Sequence, residues 1–378
     1  MYRQPEESAI ARVNNPGEHG PAHVLTILGT RPEAIKMLPL AGALKQAGFR
    51  HSLCTTGQHR DMLAQVFAAF GAAPDRDLAL MRPGQAPVAL LSSILAALPP
   101  VLEELRPDLM LVHGDTTTAL GAALAAFHAG IPVGHVEAGL RSHDLTRPFP
   151  EEANRVAVDA IAALRFAPTA EAAANLAREY GAGRVIVTGN TAIDALLAMA
   201  GSLPQPPAPA LPRILVTAHR RESFGEGFRR IAEGLRRVAA RGDVELLYPV
   251  HPNPAVRGAV HEALSGRPGI TLTDPLDYPA MIQAMRACRF VITDSGGLQE
   301  EAPALGKPVL VLREVTERPE AVATGVVRVI GTDPARIEAE AALLMDPGEY
   351  AARARPVFPY GDGRASARIV AAIREFLG

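Results

Sequence analysis

Short apolar strands alternate with helix-length segments along most of this chain, and this alternation limits the fold more than any other feature. Strand-like runs occur at 23–29, 109–113, 132–136 and 185–188, and helix-length segments follow the first two. A β–α–β alternation is typical of parallel sheets that are covered by helices on both faces. The sequence therefore predicts an α/β fold built on doubly wound parallel sheets.

A proline-rich stretch at 201–212 divides the alternation into two parts. Beyond it, further strand-like runs occur at 214–217, 245–250, 269–272, 290–293 and 309–312. The chain has 378 residues, which is more than one ordinary hydrophobic core. We predict a disordered extension at 1–21, a first Rossmann-like domain at 22–190, a second at 191–363, and a final helix at 364–378 that packs back onto the first domain. Because open parallel sheets bind ligands at the carboxyl ends of their strands, we expect the site in a cleft between the two sheets.

The composition excludes several classes of protein. The formal net charge is −2, so no overall basic field would draw the chain to nucleic acid or to a membrane surface. The sequence contains no run of about 18 apolar residues, so we expect no membrane span. The polar N-terminus, which carries Glu6 and Glu7, lacks the apolar segment of a secretory signal. We therefore expect a cytoplasmic protein whose partners are neither nucleic acid nor membrane.

Residues that could hold a metal or a redox cofactor do not occur at the required spacings. Cys54 and Cys288 lie far apart and outside any Cys-x-x-Cys pattern, which is typical of buried structural thiols. His19 and His23 are four residues apart, but the Gly-Pro pair between them disfavours the helix that would align them on one metal. Neither a dinucleotide fingerprint nor a Walker loop is present. The sequence predicts no metal and no redox cofactor.

The loop Ser295-Gly296-Gly297 ends a short β-branched run and turns directly into a helix-like segment. Glycines let the backbone approach a ligand closely, and the first N–H groups of a helix attract an anion. The same residues also suit a plain tight turn. The loop indicates a phosphate site only in combination with other polar clusters.

Charged side chains follow the strands of the first half at the positions where a site is expected. Arg31 and Lys36 lie beside a helix start, where they suit a phosphate or a carboxylate, or serve as surface charges. Asp115 suits either a helix N-cap or a catalytic carboxylate. Glu137 directly follows an apolar strand, which is an unusual place for a solvated charge and favours a functional role.

Further candidates occur in a helix start and in the second half of the chain. Glu151 lies in an acidic first turn, where it either complements the helix dipole or acts in chemistry. His219 and Arg220 follow the first strand of the second half and would attract an anion, and His251 precedes a turn that Pro forces. Arg318 supplies another cation, with a surface charge as the alternative. This inventory suits proton transfer at a sugar carbon next to a departing diphosphate.

Five short motifs together resemble the non-hydrolysing UDP-N-acetylglucosamine 2-epimerases. They are Gly-Thr-Arg-Pro-Glu at 29–33, His-Gly-Asp-Thr-Thr at 113–117, His-Val-Glu-Ala-Gly-Leu-Arg at 135–141, Pro-Glu-Glu-Ala-Asn-Arg at 150–155 and Asp-Ser-Gly-Gly at 294–297. The match runs in order from about residue 23 to the C-terminus. The resemblance implies the glycosyltransferase-B architecture, with two Rossmann-like domains facing a central cleft, usually as a homodimer.

The resemblance also implies roles for individual residues. It assigns chemistry to Asp115, Glu137, Glu151 and His219. It assigns contacts with the substrate and its UDP part to Arg31, Lys36, Asp115, Glu137, His219, Leu276, Met281, Ser295, Gly296, Gly297, Glu301 and Arg318. It relates Gln58, His59, Asp61, Arg220 and His251 to a second, regulatory substrate site of bacterial relatives. Asp61 stands where some relatives have Gln, and Glu151 and Arg220 serve either site.

The implied reaction converts UDP-N-acetylglucosamine into UDP-N-acetylmannosamine, a precursor of bacterial surface polysaccharide. UDP leaves carbon 1 as the proton on carbon 2 is taken, and it adds back while carbon 2 is reprotonated on the other face. No redox cofactor is needed. The alternatives are a nucleotide-sugar glycosyltransferase, a hydrolysing epimerase, an epimerase of a related UDP-diacetamido sugar, and a catalytically inactive nucleotide-sugar sensor.

Overall fold

A computed structural model describes residues 20–57, 60–82, 84–181, 183–219 and 225–378, with only the backbone at 60–62 and 255. The described residues form two compact units. Unit 1 contains those up to Ala195 together with Gly361–Gly378, and unit 2 is Leu196–Tyr360. The predicted extension at 1–21 lies outside the described residues except for its last two positions.

The core of unit 1 is one parallel sheet. Over the described residues its strands are β1 (His23–Leu28), β2 (Arg50–Thr55), β3 (Arg76–Asp77), β4 (Leu109–His113), β5 (Val133–Val136), β6 (Leu164–Ala167) and β7 (Arg184–Val187). Its helices in the first part of the chain are α1 (Arg31–Gln46), α2 (Arg60–Ala69), α3 (Pro87–Leu105), α4 (Thr117–His128), α5 (Glu151–Ile161), α6 (Ala170–Arg178) and α7 (Thr191–Ser202), which continues into unit 2. The strand order is β3-β2-β1-β4-β5-β6-β7. The order reverses direction at β1, so the carboxyl ends of β1 and β4 border the crevice where such sheets bind ligands.

Unit 2 has a smaller sheet of the same type. Its strands within the described ranges are β8 (Arg213–Thr217), β9 (Glu245–Pro249), β10 (Ile270–Thr273), β11 (Phe290–Thr293), β12 (Val309–Val311) and β13 (Val327–Val329). Its helices are α8 (Glu226–Ala240), α9 (Pro254–Leu264), α10 (Tyr278–Ala287), α11 (Gly296–Ala304), α12 (Pro319–Ala323), α13 (Pro334–Leu343) and α14 (Pro347–Arg353). The order is β10-β9-β8-β11-β12-β13, with every pairing parallel. Here the order reverses at β8, beside β11.

The last helix, α15 (Ala365–Leu377), returns to unit 1 and packs against α1. Ile369 and Ile373 are fully buried in the core of that unit. The carboxylate of Asp194 accepts hydrogen bonds from the backbone N–H groups of Ala365 at 3.1 Å and Ser366 at 2.7 Å. Asp194 therefore satisfies donors that a helix start leaves unpaired.

The sequence predicted no apolar segment long enough to span a membrane, and helix α3 is an exception to that prediction. In the part of the chain that the structure describes, this one helix is long and apolar enough to cross a membrane, with a mean hydropathy of 1.6. Leu90, Ile94 and Leu98 are at most 3% exposed and pack in the core of unit 1 beside α4. Length and composition alone do not separate a core helix from a membrane span, and the buried leucines place one side of α3 in the core.

The strands that the sequence predicts agree with the observed strands to within one residue at each end. The sequence did not indicate β2, β3, β6 or β13. Polar residues interrupt the apolar pattern of β2 and β6, and each of them bonds to a neighbouring group. His51 of β2 bonds through Nε2 to Thr26 Oγ1 at 2.9 Å, and Arg165 of β6 donates through Nε to the carbonyl of Gly183 at 3.1 Å.

Candidate active site

Glu137 is the centre of a polar cluster at the carboxyl edge of the sheet in unit 1. It follows β5, and its Oε1 accepts hydrogen bonds from Lys36 Nζ at 2.5 Å and from Asn190 Nδ2 at 3.0 Å. The ring Nε2 of His113, the last residue of β4, lies 3.5 Å from Oε2. The Glu137 side chain is 12% exposed. A carboxylate with a cation, an amide and an imidazole around it is held in one orientation.

The backbone at Glu137 has an unusual conformation. Its φ is +67°, in the left-handed region that residues with a Cβ rarely adopt. Such a conformation costs about 1–3 kcal/mol and is concentrated at functional sites. Backbone bonds fix the loop on both sides, from Gly114 N–H to the Val136 carbonyl at 2.9 Å and from Ala138 N–H to the Phe166 carbonyl at 3.0 Å. The surrounding sheet therefore holds Glu137 in a strained but defined position.

Asp115 follows β4, the strand that pairs with β5. Its carboxylate forms an ion pair with Arg155, and Asn154 Nδ2 donates to its backbone carbonyl at 2.9 Å. Burial raises the pKa of Asp115 above its ordinary value, Arg155 opposes this rise, and the nearby Glu137 adds to it. A carboxyl group with a raised pKa is better suited to exchange a proton near neutral pH.

His113 is neutral at physiological pH. Burial lowers the pKa of its imidazole to about 3, and the adjacent Lys36 lowers it further while Glu137 opposes the change. The positive charge beside Glu137 therefore belongs to Lys36. Glu151, the first residue of α5, is half-buried and contributes to the raised pKa of Asp115. It thus belongs to the same cluster.

The start of α1 forms a rigid boundary of this cluster. Glu33 is buried, and its Oε2 accepts from the N–H groups of Gly29 at 3.1 Å and Thr30 at 2.6 Å, while Thr116 Oγ1 donates to its Oε1 at 2.8 Å. Burial raises the pKa of Glu33. Arg31 is half-buried at the first position of α1, directly after the capping residue. The capping box therefore fixes the segment that carries Arg31 and ties it to the Asp115 loop.

A second cluster lies at the carboxyl edge of the sheet in unit 2. Asp294, which follows β11, is fully buried. It accepts from the backbone N–H of His219 at 2.7 Å, and its other oxygen lies 3.2 Å from the ring Nδ1 of His219. The His219 ring stacks on that of His251, with 5.0 Å between the centroids and 7° between the planes. Burial, and then His219, lower the pKa of His251. Asp294 therefore orients His219 and faces its ring.

The Ser295-Gly296-Gly297 loop forms the N-terminus of α11. Ser295 is the N-cap residue but makes no side-chain capping bond. Gly297 is exposed, and a Cβ built on it would meet no atom of the described residues closer than Ser295 Oγ at 4.0 Å. Protein packing therefore does not require glycine at 297. Open N–H groups at a helix start with space in front of them suit an anionic ligand.

The remaining candidates of unit 2 lie around α10 and α11. Arg318 donates through Nε to Glu300 Oε1 at 2.5 Å. Leu276, Met281 and Glu301 are half-buried. The pairing with Glu300 orients the Arg318 guanidinium, a planar cation of the kind that suits phosphate.

Comparison with known proteins identifies the family. A sequence model described as UDP-N-acetylglucosamine 2-epimerase matches residues 42–374. The UDP-N-acetylglucosamine 2-epimerase of Escherichia coli K12 is 49% identical over 370 residues, which cover 93% of this chain and 98% of that protein. This chain belongs to the UDP-N-acetylglucosamine 2-epimerase family.

Solved structures of similar proteins confirm the predicted fold class. The UDP-GlcNAc 2-epimerase from Neisseria meningitidis bound to UDP-GlcNAc has a TM-score of 0.84 and 42% identity, and the match covers 93% of this chain and all 100% of that one. MnaA of S. aureus in a structure with UDP has a TM-score of 0.84 and 43% identity, with coverage of 94% and 97%. An epimerase family member with two parallel α/β sheets is what the five motifs and the strand alternation predicted.

Sequence reasoning did not identify several residues that contact the candidate carboxylates of this epimerase-family chain. They are His113, Asn190 and Arg155. His113 and Arg155 lie in motifs that the sequence analysis identified, and Asn190 lies shortly after a predicted strand. No local pattern shows that these side chains meet the two carboxylates. Asn190 is 53 residues from Glu137 in the sequence, so only the sheet brings the two together.

The residues related to a regulatory site are largely outside what the structure describes. Gln58, His59 and Arg220 lie outside the described residues, and at Asp61 only the backbone, in α2, is described. His251 is described and lies against the ring of His219. The regulatory site therefore stays a prediction.

Proposed function

We propose that this protein interconverts UDP-N-acetylglucosamine and its carbon-2 epimer by eliminating and re-adding UDP. One observation carries the proposal. In a member of this family, Asp115 and Glu137 follow the adjacent parallel strands β4 and β5, so two carboxylates lie at one edge of the sheet. Inversion at a carbon requires proton removal on one face and return on the other, and two separate carboxyl groups suit these two steps.

The two carboxyl groups have different environments, which favours different roles in proton transfer. Glu137 faces the Lys36 ammonium and the Asn190 amide. Asp115 has a raised pKa because it is buried, in spite of its pairing with Arg155. Titratable groups with unlike environments are typical of acid and base partners. Glu151 at the start of α5 supports the same cluster.

Unit 2 supplies groups that suit the UDP part of the substrate. The start of α11 at Ser295, Gly296 and Gly297 offers N–H groups to the diphosphate, and His219 and Arg318 add donors that stabilise its departure. Leu276, Met281 and Glu301 flank the nucleoside in this proposal. Relatives from N. meningitidis and S. aureus were solved with UDP-GlcNAc and UDP.

The proposal is tested by incubating the purified protein with UDP-N-acetylglucosamine and a chelator in heavy water and following the mixture by NMR. We expect UDP-N-acetylmannosamine with deuterium at carbon 2, because an exchangeable carboxyl group handles that proton. Oxygen-18 in the bridge between carbon 1 and the diphosphate should scramble into non-bridging positions. Release of free sugar with UDP would instead identify a hydrolysing enzyme. Conversion that requires a divalent ion, or a complete lack of conversion, would contradict the proposal.

We further propose that two copies of this chain associate through the outer side of α3. Only 28% of the 18-residue apolar segment of α3 is buried within the structure. The Val88 side chain is 72% exposed and the Leu95 side chain is 36% exposed. An exposed apolar face of this kind is typical of a contact surface. The double variant Val88→Asp, Leu95→Asp should be monomeric in light scattering while the wild type is dimeric. A wild-type monomer would exclude the dimer.

A cytoplasmic location and a role in supplying bacterial surface polysaccharide complete the proposal. Cys54 and Cys288 are both free and buried, which fits a reducing compartment. A strain that lacks the gene should lose the polymer that contains N-acetylmannosamine, and an unchanged polymer would contradict this role.

A further inference from the structure

His135 is a fully buried histidine whose two ring nitrogens both face acceptors. Its Nε2 lies 2.8 Å from the backbone carbonyl of Gly114, and its Nδ1 lies 2.6 Å from Oδ1 of Asp159. A carbonyl oxygen can only accept, so Nε2 carries a proton. Gly114 is the residue directly before Asp115. The His135 ring therefore restrains the backbone directly before Asp115.

Asp159, on α5, holds the other loop. Its second oxygen, Oδ2, accepts from the backbone N–H of Gly139 at 3.1 Å and from Arg141 Nη2 at 2.8 Å. Gly139 is two residues after Glu137, the residue with the left-handed backbone. The carboxylate of Asp159 thus restrains the segment in which Glu137 is strained.

These contacts form one continuous link between the two loops that carry the candidate carboxylates. It runs from the Gly114 carbonyl through the His135 ring and the Asp159 carboxylate to the Gly139 N–H. We propose that His135 and Asp159 are a positioning pair, an imidazolium and a carboxylate that set the spacing of Asp115 and Glu137. The proposal rests on the proposed epimerase function, because it concerns the geometry of that reaction.

The charge state follows from the donors and acceptors around the pair. Asp159 accepts hydrogen bonds from the Gly139 N–H and from the Arg141 guanidinium, and these two donors favour its ionised form. Burial alone would lower the pKa of His135, but Asp159 outweighs burial and raises it above the ordinary value. Burial would raise the pKa of Asp159, but His135 and Arg141 outweigh it and lower the pKa. The raised pKa of His135 and the lowered pKa of Asp159 both favour a ring that is protonated at both nitrogens.

Arg141 extends the same network to the edge of unit 1. Its guanidinium donates to Asp159 and, through Nη2, to Glu179 Oε2 at 2.6 Å. The Glu179 side chain is 32% exposed, and Glu179 touches neither Gly114 nor Gly139 among the contacts described. Glu179→Gln is therefore a matched control, because it weakens the network but leaves the link between the loops intact.

The first measurement compares His135→Gln, Asp159→Asn, the double variant and Glu179→Gln with the wild type. We expect the first three to lower kcat by about a hundredfold, because small displacements of reacting groups cost that much, with KM for UDP-N-acetylglucosamine changed by less than about threefold. The double variant should lose no more than the worse single variant, because the two residues act as one unit. Glu179→Gln should lower the melting temperature and keep kcat. If the pair were only structural, kcat would follow thermal stability alike in all four variants, and that result would overturn the proposal.

The second measurement uses the wild-type protein, so it does not depend on whether a variant folds. NMR of protein with nitrogen-15 in its histidines should show one buried ring that keeps both nitrogens protonated at a pH above the ordinary histidine pKa. A set of rings that are all neutral at that pH would overturn the proposal whatever the kinetics. A wild type that does not convert UDP-N-acetylglucosamine would contradict the proposed function instead, and the ring protons would still decide the charge state of the pair.

Discussion

Three side chains from distant parts of the sequence meet at the carboxylate of Glu137. Lys36 comes from α1, His113 from the end of β4, and Asn190 from the position directly before α7. Of Lys36 and His113, only Lys36 carries a charge at neutral pH, because burial keeps the His113 imidazole neutral. At the scale of single residues, Glu137 is therefore held by the Lys36 cation and the neutral Asn190 amide, with the neutral His113 ring beside it.

Removal of the Glu137 charge should slow the reaction strongly and leave the binding of UDP largely unchanged. We expect Glu137→Gln to lower turnover by about a hundredfold or more, the usual scale for loss of a general acid or base. UDP affinity, measured by calorimetry, should stay within about threefold, since the groups proposed for UDP lie mainly elsewhere. Glu171→Gln, at an exposed position of α6, is the control. Near wild-type turnover of Glu137→Gln would remove this residue from the candidates.

The pH profile should report on the pairing of Asp115 with Arg155. The Arg155 guanidinium holds the pKa of Asp115 down against burial. Arg155→Gln removes that cation, so the pKa of Asp115 should rise and the corresponding limb of the profile of kcat against pH should move to higher pH. A limb that stays in place, in a variant that folds and turns over, would show that Asp115 does not control the rate.

At the scale of elements, the site depends on strand ends and helix starts. The apolar pattern predicted most strands well, because their side chains are buried on both faces of a parallel sheet. It did not indicate β2 and β6, since His51 and Arg165 are polar residues whose bonding partners lie elsewhere in the sequence. The helix start at Ser295-Gly296-Gly297 was predictable from its local sequence, whereas its role as a phosphate site depended on the other polar clusters and stays a proposal.

A methyl group at the start of α11 should weaken UDP binding but not folding. In Gly297→Ala the new Cβ would meet no atom closer than 4.0 Å in the part of the chain that the structure describes, so the melting temperature should be unchanged or slightly higher. In our proposal the methyl group intrudes on the diphosphate, and we expect UDP affinity to fall by about tenfold. Gly258→Ala in α9, where a Cβ also meets nothing within 4 Å, is the matched control. Equal UDP affinity in both variants would place the diphosphate elsewhere.

At the scale of the whole molecule, buried histidines of unit 1 influence stability in opposite directions. Burial lowers the pKa of His51 to about 4, so the folded protein excludes a proton that the unfolded chain accepts. The raised pKa of His135 has the reverse effect, because the folded protein keeps a proton that the unfolded chain loses as the pH rises. Acid therefore weakens the fold through His51, and alkali weakens it through His135, so these two residues together favour a stability maximum near the ordinary histidine pKa of about 6.5.

The acid side of this balance can be tested at His51. Its contribution is complete above the unfolded pKa near 6.5 and declines as the pH falls toward about 4, by of order 3 kcal/mol. Urea unfolding of the wild type and of His51→Gln between these pH values should show a weaker pH dependence in the variant. His261→Gln, which changes a histidine in the last turn of α9 in unit 2, is the control. Parallel curves for the wild type and His51→Gln would contradict the assignment.

The sequence by itself determined the α/β class, the positions of most strands, the family and the two candidate carboxylates. These features depend on local patterns, namely apolar runs, glycine-rich turns and short motifs at strand ends. Only the tertiary structure decided which groups touch those carboxylates. Asn190 meets Glu137, Arg155 meets Asp115, and the His135–Asp159 pair links their loops. Those contacts exist because parallel strands align their carboxyl ends at one edge, and a linear pattern carries no record of which distant residues then become neighbours.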